Sequence, residues 1–361
     1  MPKSKKQIKK KTESKAFPSE LRFALISGDW VVIATGRAQR PESFKKEQRI
    51  IKTIPKKDCF FCNIQTQLPP LLISRDGKIK NYAYDDEDRS KLKIPKDWTT
   101  IVIPNKYPAF IPKDGLNIRK KGLHRLMNAY GMAEVVVTRD HKKQVAEFNL
   151  EQIKELLDVY QDRYLDLMRE PKINYISIFH NHGVEAGASV AHPHSQIIAT
   201  PVLDPKIKRS LEGSKNYFKH HKKCGHCLMN EWDRKDKERV IFENKEFLVV
   251  CPFASSSAFQ ISISPKKHLP YFERISDKQK GYLAEAFFVA MRKLNKGLDD
   301  PAYNFYLHTA PCDGRNHDYY HWHWVIAPKT SIMAGFELCT GIEISTIEPE
   351  KAAEYLKKQT I

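Results

Sequence analysis

The sequence predicts an α+β fold, a tandem pseudo-repeat whose antiparallel sheet is drawn from both copies and covered by outer helices. Three observations predict it. One order of motifs is written twice along the chain. Each copy holds one long segment of helical periodicity, and short strand-like runs flank that segment. With 361 residues, 41% of them apolar, there is material for a sizeable core.

Copy one begins at Cys59-Phe-Phe-Cys62, and the β-branched run Val135, Val136, Val137 reads as a strand leading to His141. From Leu150 to Arg169, apolar residues fall at 150, 153, 156, 160, 164 and 167, which is the spacing of one helix face. Asn149 is placed to cap that helix, with Gln152 three residues on to answer it. Pro171-x-x-Asn174 then opens a strand-like stretch, Tyr175 to Phe179, and His192-Pro-His194 closes the copy.

Copy two repeats the order. Cys224-Gly-His-Cys227 is followed by a strand-like run from Phe259 to Ser264, leading to His268. Ser276 and Gln279 repeat the capping pair ahead of a helix to about Leu294. Pro301-x-x-Asn304 opens Phe305 to Leu307, and His321-Trp-His323 closes the unit. The spacings agree: 30 residues from His141 to Pro171 against 33 from His268 to Pro301, and 21 from Pro171 to His192 against 20 from Pro301 to His321. The organisation expected is a Lys-rich disordered tail at 1–16, a catalytic half at 17–205, a basic linker at 206–223 and a structural half at 224–361.

Two thiols and two imidazoles per copy suit tetrahedral Zn²⁺. The expected sets are Cys59, Cys62, His141, His192 and Cys224, Cys227, His268, His321, giving two zinc ions per chain. An odd cysteine count, seven, argues for reduced thiols rather than a disulfide framework. If His192 is committed to metal, His194 is free for chemistry, and strand alternation would project both the same way, although Pro193 perturbs that geometry. Small residues from Asn181 to Ser189, Gly187 among them, would let a backbone approach phosphate, and Ser189 and Gln196 supply neutral donors. In copy two, Val325 stands where Gln196 does, and the bulky Trp322 and Trp324 flank His323, so that copy reads as structural.

The formal net charge is +18, of which the tail contributes +6 from seven Lys and one Glu. Such a balance suits an anionic substrate. It also leaves room for a non-enzymatic, zinc-stapled nucleic-acid binder, although no nucleic-acid-reading motif is present. No apolar run approaches the ~20 residues of a membrane span, and no apolar segment follows the charged N-terminus. A cytoplasmic protein without a membrane partner is expected.

The stretch Asn181-His-Gly through Gly187-Ala-Ser189 to His192-Pro-His194-Ser-Gln196 resembles the active-site motif of galactose-1-phosphate uridylyltransferases, a branch of the histidine-triad superfamily. Arg37-Ala-Gln-Arg40-Pro41, Pro104-Asn105-Lys-Tyr-Pro108 and Gly335-Phe336-Glu337 resemble further segments of that family. The resemblance implies a histidine-triad-like fold in each half and a homodimer. It also implies nucleotide-sugar and sugar-phosphate or phosphate substrates, with transfer through a nucleotidyl-His194 intermediate. It places Arg37 and Arg40 on phosphate, Asn105 and Asn181 at the nucleotide, and Glu337 at the hexose. Gln196, where related hydrolases have a third histidine, favours transfer over hydrolysis. Two departures stand out: Ser195 replaces the usual glycine of HPHGQ, and Glu343 replaces a glutamine. HPHSQ, GFE and the second CxxC resemble a plant-type branch that moves AMP from ADP-glucose to phosphate, so uridylyl and adenylyl transfer both remain open. In the galactose-specific branch a histidine-rich set binds the second metal, on which pattern His308 and His323 would replace cysteines.

Overall fold

The computed structural model describes residues 19–34 and 54–361; the tail at 1–16, Arg37 and Arg40 lie outside the described residues. In the first half the strands are β1 (Glu20–Phe23), β2 (Trp30–Ile33), β3 (Leu72–Arg75), β4 (Lys78–Asn81), β5 (Thr100–Pro104), β6 (Arg119–Lys121), β7 (His124–Leu126), β8 (Met132–Thr138), β9 (Tyr175–His182) and β10 (His194–Thr200). Helix α1 (Leu150–Leu167) connects β8 to β9. The second half runs α2 (Pro205–His221), α3 (Gly225–Asp236), β11 (Val240–Glu243), β12 (Phe247–Val250), β13 (Ile261–Pro265) and α4 (Asp277–Leu298). It ends with β14 (Tyr303–His308), β15 (His323–Pro328), α5 (Gly335–Thr340), β16 (Glu343–Ser345) and α6 (Pro349–Lys357).

Eleven strands form one antiparallel sheet in the order β11-β12-β13-β15-β14-β9-β10-β8-β5-β3-β4. The order reads as two copies meeting head to head, with β9 and β14 at the seam and α1 and α4 as equivalent connections. Pairing of Asn181 with Asn304 and of Phe179 with Tyr306 makes the seam a true strand ladder. The α+β pseudo-repeat is therefore the fold, and its two copies share one sheet.

The two long helices form where local chemistry starts them. Asn149 Oδ1 accepts from Gln152 N at 2.8 Å, and Gln152 Oε1 accepts from Asn149 N at 3.2 Å. Ser276 and Gln279 make the same exchange at 3.3 and 3.0 Å. Their apolar faces bury Leu156, Tyr160, Leu283, Phe287 and Leu294 against one face of the sheet. The other face carries a smaller apolar cluster, Cys59, Phe61, Ile101, Ile103, Val135 and Val137. Residues paired across antiparallel strands share a face. His194 pairs with Val137, and Gln196 pairs with Val135 and Phe179, so both catalytic candidates lie on this second face.

Residues 206–223, expected as a linker, instead run through α2. Asp204 accepts from the backbone of Lys206 and Ile207 at 2.9 and 3.0 Å, and Pro205 sits at the first helical position. Ile207 and Leu211, four residues apart, are buried with Tyr175, Tyr271 and Tyr320. The charges that suggested a linker decorate the helix's outer side.

One core contact had no counterpart in the sequence reading. Arg163 of α1 makes a two-pronged ion pair with Glu134 of β8, at 2.6 and 2.8 Å, and neither side chain is exposed. Replacing one partner leaves the other charged and dry, which typically costs about 3–5 kcal/mol. Glu134→Gln should therefore lower stability by about that amount in chemical denaturation, and adding Arg163→Met should restore part of it.

Candidate active site and metal centres

Three loops converge at the His194 end of β10. The Cys59–Cys62 turn, the loop after β8 with His141, and the loop before β10 with His192 bring four ligand atoms within 4.8 Å of one another. The edges are 3.2 Å for Cys62 Sγ to His141 Nδ1, 3.5 Å from each sulfur to His192 Nδ1, and 3.3 Å between the two Nδ1 atoms. A tetrahedron with zinc–nitrogen and zinc–sulfur bonds of about 2.0 and 2.3 Å has edges of about 3.3–3.8 Å. The far ring nitrogens face backbone carbonyls: His141 Nε2 lies 2.9 Å from Ile54 O and His192 Nε2 lies 2.7 Å from Thr138 O. Donating there, each ring turns a bare Nδ1 inward, as a metal ligand requires. Burial and the adjacent Cys59 push the Cys62 thiol up to about 11. Two thiolates so crowded need a cation between them, so the residues fit a metal.

The second group has the same form. Cys224, Cys227, His268 and His321 also lie with ligand atoms within 4.8 Å. Cys227 Sγ is 3.5 Å from His268 Nδ1 and 3.4 Å from His321 Nδ1, and Cys224 Sγ is 3.9 Å from His321 Nδ1. Their Nε2 atoms again face carbonyls, Asp318 O at 2.6 Å and Pro265 O at 2.9 Å. The bond from Cys227, with those from His268 and His321, holds the Cys224 thiol far below its ordinary range. His308 and His323 stack edge to face at 5.1 Å beside this group without entering it. The cysteine set, not the histidine-rich one, is the group that converges.

His192 does not share a strand with His194 as alternation suggested. It lies in the loop, and β10 starts at His194. Pro193 has no N–H to offer a ladder, and the break lets the two rings separate. His194 Nδ1 lies 2.9 Å from His192 O and donates to it, which leaves the lone pair on Nε2. Burial holds this imidazole below its ordinary range, so the ring is neutral at pH 7. Phe61 packs against both rings, at 5.7 Å from His192 and 5.0 Å from His194. The metal quartet, an aromatic ring and a backbone carbonyl therefore hold the His194 ring in one orientation, neutral and with its Nε2 lone pair unprotonated. In copy two, Phe61's place is taken by His226, 5.1 Å from His323, and Trp322 and Trp324 fill the core behind it.

The loop after β9 needs its glycines. Gly183 and Gly187 both have φ of 84°, where a side chain is strained. At Gly187 a Cβ would meet nothing within 4 Å, so conformation rather than space selects glycine there. Asn304 of copy two donates to Asn181 Oδ1 and to Ala186 O, both at 2.8 Å. It thereby ties Asn181 to the glycine loop. The sequence marked Asn304 only as a repeat position, matching Asn174, whose amide reaches Pro201 O at 2.6 Å. Asn304→Ala should leave these acceptors unpaired and reduce kcat by about one order of magnitude, with a smaller effect on thermal stability. Steady-state kinetics beside a melting curve would separate the two.

The remaining candidates scatter more widely. Ser189 is exposed on the loop before His192, and Gln196 is half-buried two residues along β10. Asn105 follows β5, its backbone N–H donating to Ala133 O and its side chain accepting from Tyr107 N at 3.0 Å. Glu337 lies on α5, where one carboxylate oxygen accepts from Ala334 N at 3.1 Å. Among the described residues, no hydrogen bond joins it to β9, β10 or the loop between them. Below the site face, Ser195 Oγ bridges Tyr160 Oη at 2.5 Å and His180 Nδ1 at 3.0 Å. His180, flat against Phe305 at 4.8 Å, is therefore a core residue.

Known proteins resemble this chain in sequence and fold. Residues 9–204 match the galactose-1-phosphate uridyl transferase N-terminal domain. An ADP-glucose phosphorylase of Arabidopsis thaliana is 31% identical, over 95% of this chain and 93% of its own. A galactose-1-phosphate uridylyltransferase of Thermotoga maritima is 30% identical, over 95% of this chain and 99% of its own. Among solved structures, an Arabidopsis thaliana ADP-glucose phosphorylase with bound ADP-glucose has a TM-score of 0.76 at 29% identity, over 95% of this chain and 100% of that one. Fold and similarity together define a nucleotidyltransferase. The chain belongs to the galactose-1-phosphate uridylyltransferase family.

Proposed function

We propose that the chain transfers a nucleoside monophosphate from a nucleotide sugar to a phosphate-bearing acceptor through a covalent bond to His194. The observation that carries this reading is the His194 Nδ1 bond to His192 O, which aims a bare Nε2 at the site face. Nε2 attacks the α-phosphorus, the bond to the bridging oxygen breaks, and hexose 1-phosphate leaves with that electron pair. An acceptor phosphate oxygen then attacks the same phosphorus and frees the imidazole. Gln196 and Ser189 donate to the phosphoryl oxygens, and Arg37 and Arg40 bind the phosphates. The glycine loop around Gly187 frames them. Asn105 and Asn181 hold the nucleotide, and Glu337 takes the hexose hydroxyls.

The first reading is uridylyl transfer between UDP-hexose and hexose 1-phosphate, placing the enzyme in galactose metabolism. A second reading, AMP transfer from ADP-glucose to phosphate, is supported by the intact cysteine set of the second metal group and by the 31% identical phosphorylase. Zinc occupies both quartets in this proposal and supplies rigid tetrahedral ties between distant loops. The enzyme works in the cytoplasm, where its metal-binding thiols stay reduced, and as a homodimer. Support for the dimer is the outward apolar face of β1 and β2, where Leu21, Phe23 and Trp30 are 62%, 42% and 48% exposed. Among the described residues no helix is long and apolar enough to cross a membrane.

Incubation with UDP-glucose, UDP-galactose or ADP-glucose, followed by intact mass, tests the proposal. A UMP or AMP increment absent from His194→Ala names the base. No increment with any donor, in folded and zinc-loaded protein, would sink the covalent reading for these nucleotides.

A further inference from the structure

Strands β6 and β7 form a hairpin that joins neither larger sheet, and every residue in both strands is exposed. Lys120 pairs with Arg125, Lys121 with His124 and Arg119 with Leu126. Like charges directly opposite one another destabilise a strand pair. The stretch 115–133 contains no acidic residue. Among the described residues no ion pair reaches Arg119, Lys120, Lys121 or Arg125; Arg119 alone has a hydrogen bond, to Asn128 Oδ1 at 3.1 Å. At the tip Gly122, with φ of 61°, turns the chain and leaves Leu123 100% exposed. Ile118, Leu126 and Met127 are 69%, 42% and 38% exposed behind it.

A self-repelling basic hairpin with an apolar tip is complementary to a surface that is negative outside and apolar beneath. We propose that it docks the enzyme on an anionic phospholipid surface, with Leu123 entering the headgroup layer and Arg119, Lys120, Lys121 and Arg125 resting on lipid phosphates. Docking is peripheral, unlike the spanning segment that the sequence excludes. Between 111 and 129 there is no Phe, Tyr or Trp on which a nucleic-acid base could stack, which favours lipid over single-stranded nucleic acid. A second copy presenting the same hairpin would bring like charges together.

The test is co-sedimentation of the full chain with vesicles of phosphatidylcholine alone or mixed with phosphatidylserine. Binding should require phosphatidylserine and weaken with salt. Leu123→Ser, which leaves every charge in place, should reduce partitioning about tenfold. Lys120→Glu with Arg125→Glu should reduce it at least about twenty-fivefold. Both variants should keep the melting temperature and transfer rate, since the hairpin touches neither metal group nor His194. Equal binding by wild type and Leu123→Ser would overturn the proposal and assign the attraction to the Lys-rich tail. So would absence of vesicle binding, charge-dependent binding to RNA or DNA in its place, or a change of oligomeric state in Leu123→Ser.

Discussion

Alanine at His194 is expected to abolish nucleotidyl transfer, lowering kcat by at least about four orders of magnitude, while the protein folds normally. In the proposed mechanism this side chain forms the covalent intermediate, and loss of a covalent nucleophile leaves only binding and oxyanion contacts to act. The fold should tolerate the change. His194 opens β10 at a half-buried position, and among the described residues its ring hydrogen-bonds only to the carbonyl of His192. Single-turnover kinetics with a radiolabelled donor, quenched in alkaline denaturant because a phosphorus–imidazole bond hydrolyses in acid, would check this: label should become protein-bound in the parent and stay free in the variant. A variant retaining a tenth of parental activity would assign the chemistry to another group.

Serine at Cys62 and serine at Cys227 should damage the enzyme differently. Each removes one ligand from a quartet whose binding free energy is folding free energy, so each should lower stability by several kcal/mol and reduce bound zinc by one ion per chain. Only the first quartet is joined to His194, the proposed nucleophile. His192 is both a ligand candidate and, through its carbonyl, the acceptor that fixes the His194 tautomer, while Phe61 lies between the two cysteines and against His194. Cys62→Ser should therefore lower transfer per folded molecule by about 100-fold, a typical penalty for losing sub-ångström placement. The second quartet joins the start of α3 to the loops after β13 and before β15, away from β10, so Cys227→Ser should leave transfer per folded molecule nearly unchanged. Metal analysis, melting curves and active-site titration on both proteins would check it. Equal catalytic losses would show that the first quartet has no special hold on His194.

What could be read from the sequence was what the chain writes locally. The caps Asn149 and Ser276, the apolar spacing of α1 and α4 and both Cys/His sets are short-range or repeated signals, and the fold places them together as expected. Charge misled the reading of α2, because seven basic residues drew attention from Ile207 and Leu211, whose spacing marks a buried helix face. Alternation was only a partial guide at His192: Pro193 marked the disturbance in the sequence, and the ladder begins only at His194. The Arg163–Glu134 pair and the Asn304 tether were hidden for another reason. Their partners lie 29 and 123 residues away, and nothing in a single sequence fixes which strand lies beside which. The tautomer of His194 is likewise a property of loop geometry, not of residue type.

The ladder between β9 and β14 has a consequence for how the molecule can come apart. Neither half ends in a finished edge: cutting between β10 and β11 would leave β9 and β14 as long, flat strands with unpaired backbone groups. Each separated piece would carry the template that recruits the other. Fragments made apart should aggregate, whereas fragments made together should reassociate and complement. For the same reason the intact chain should lose both halves in one transition, as a single cooperative unit.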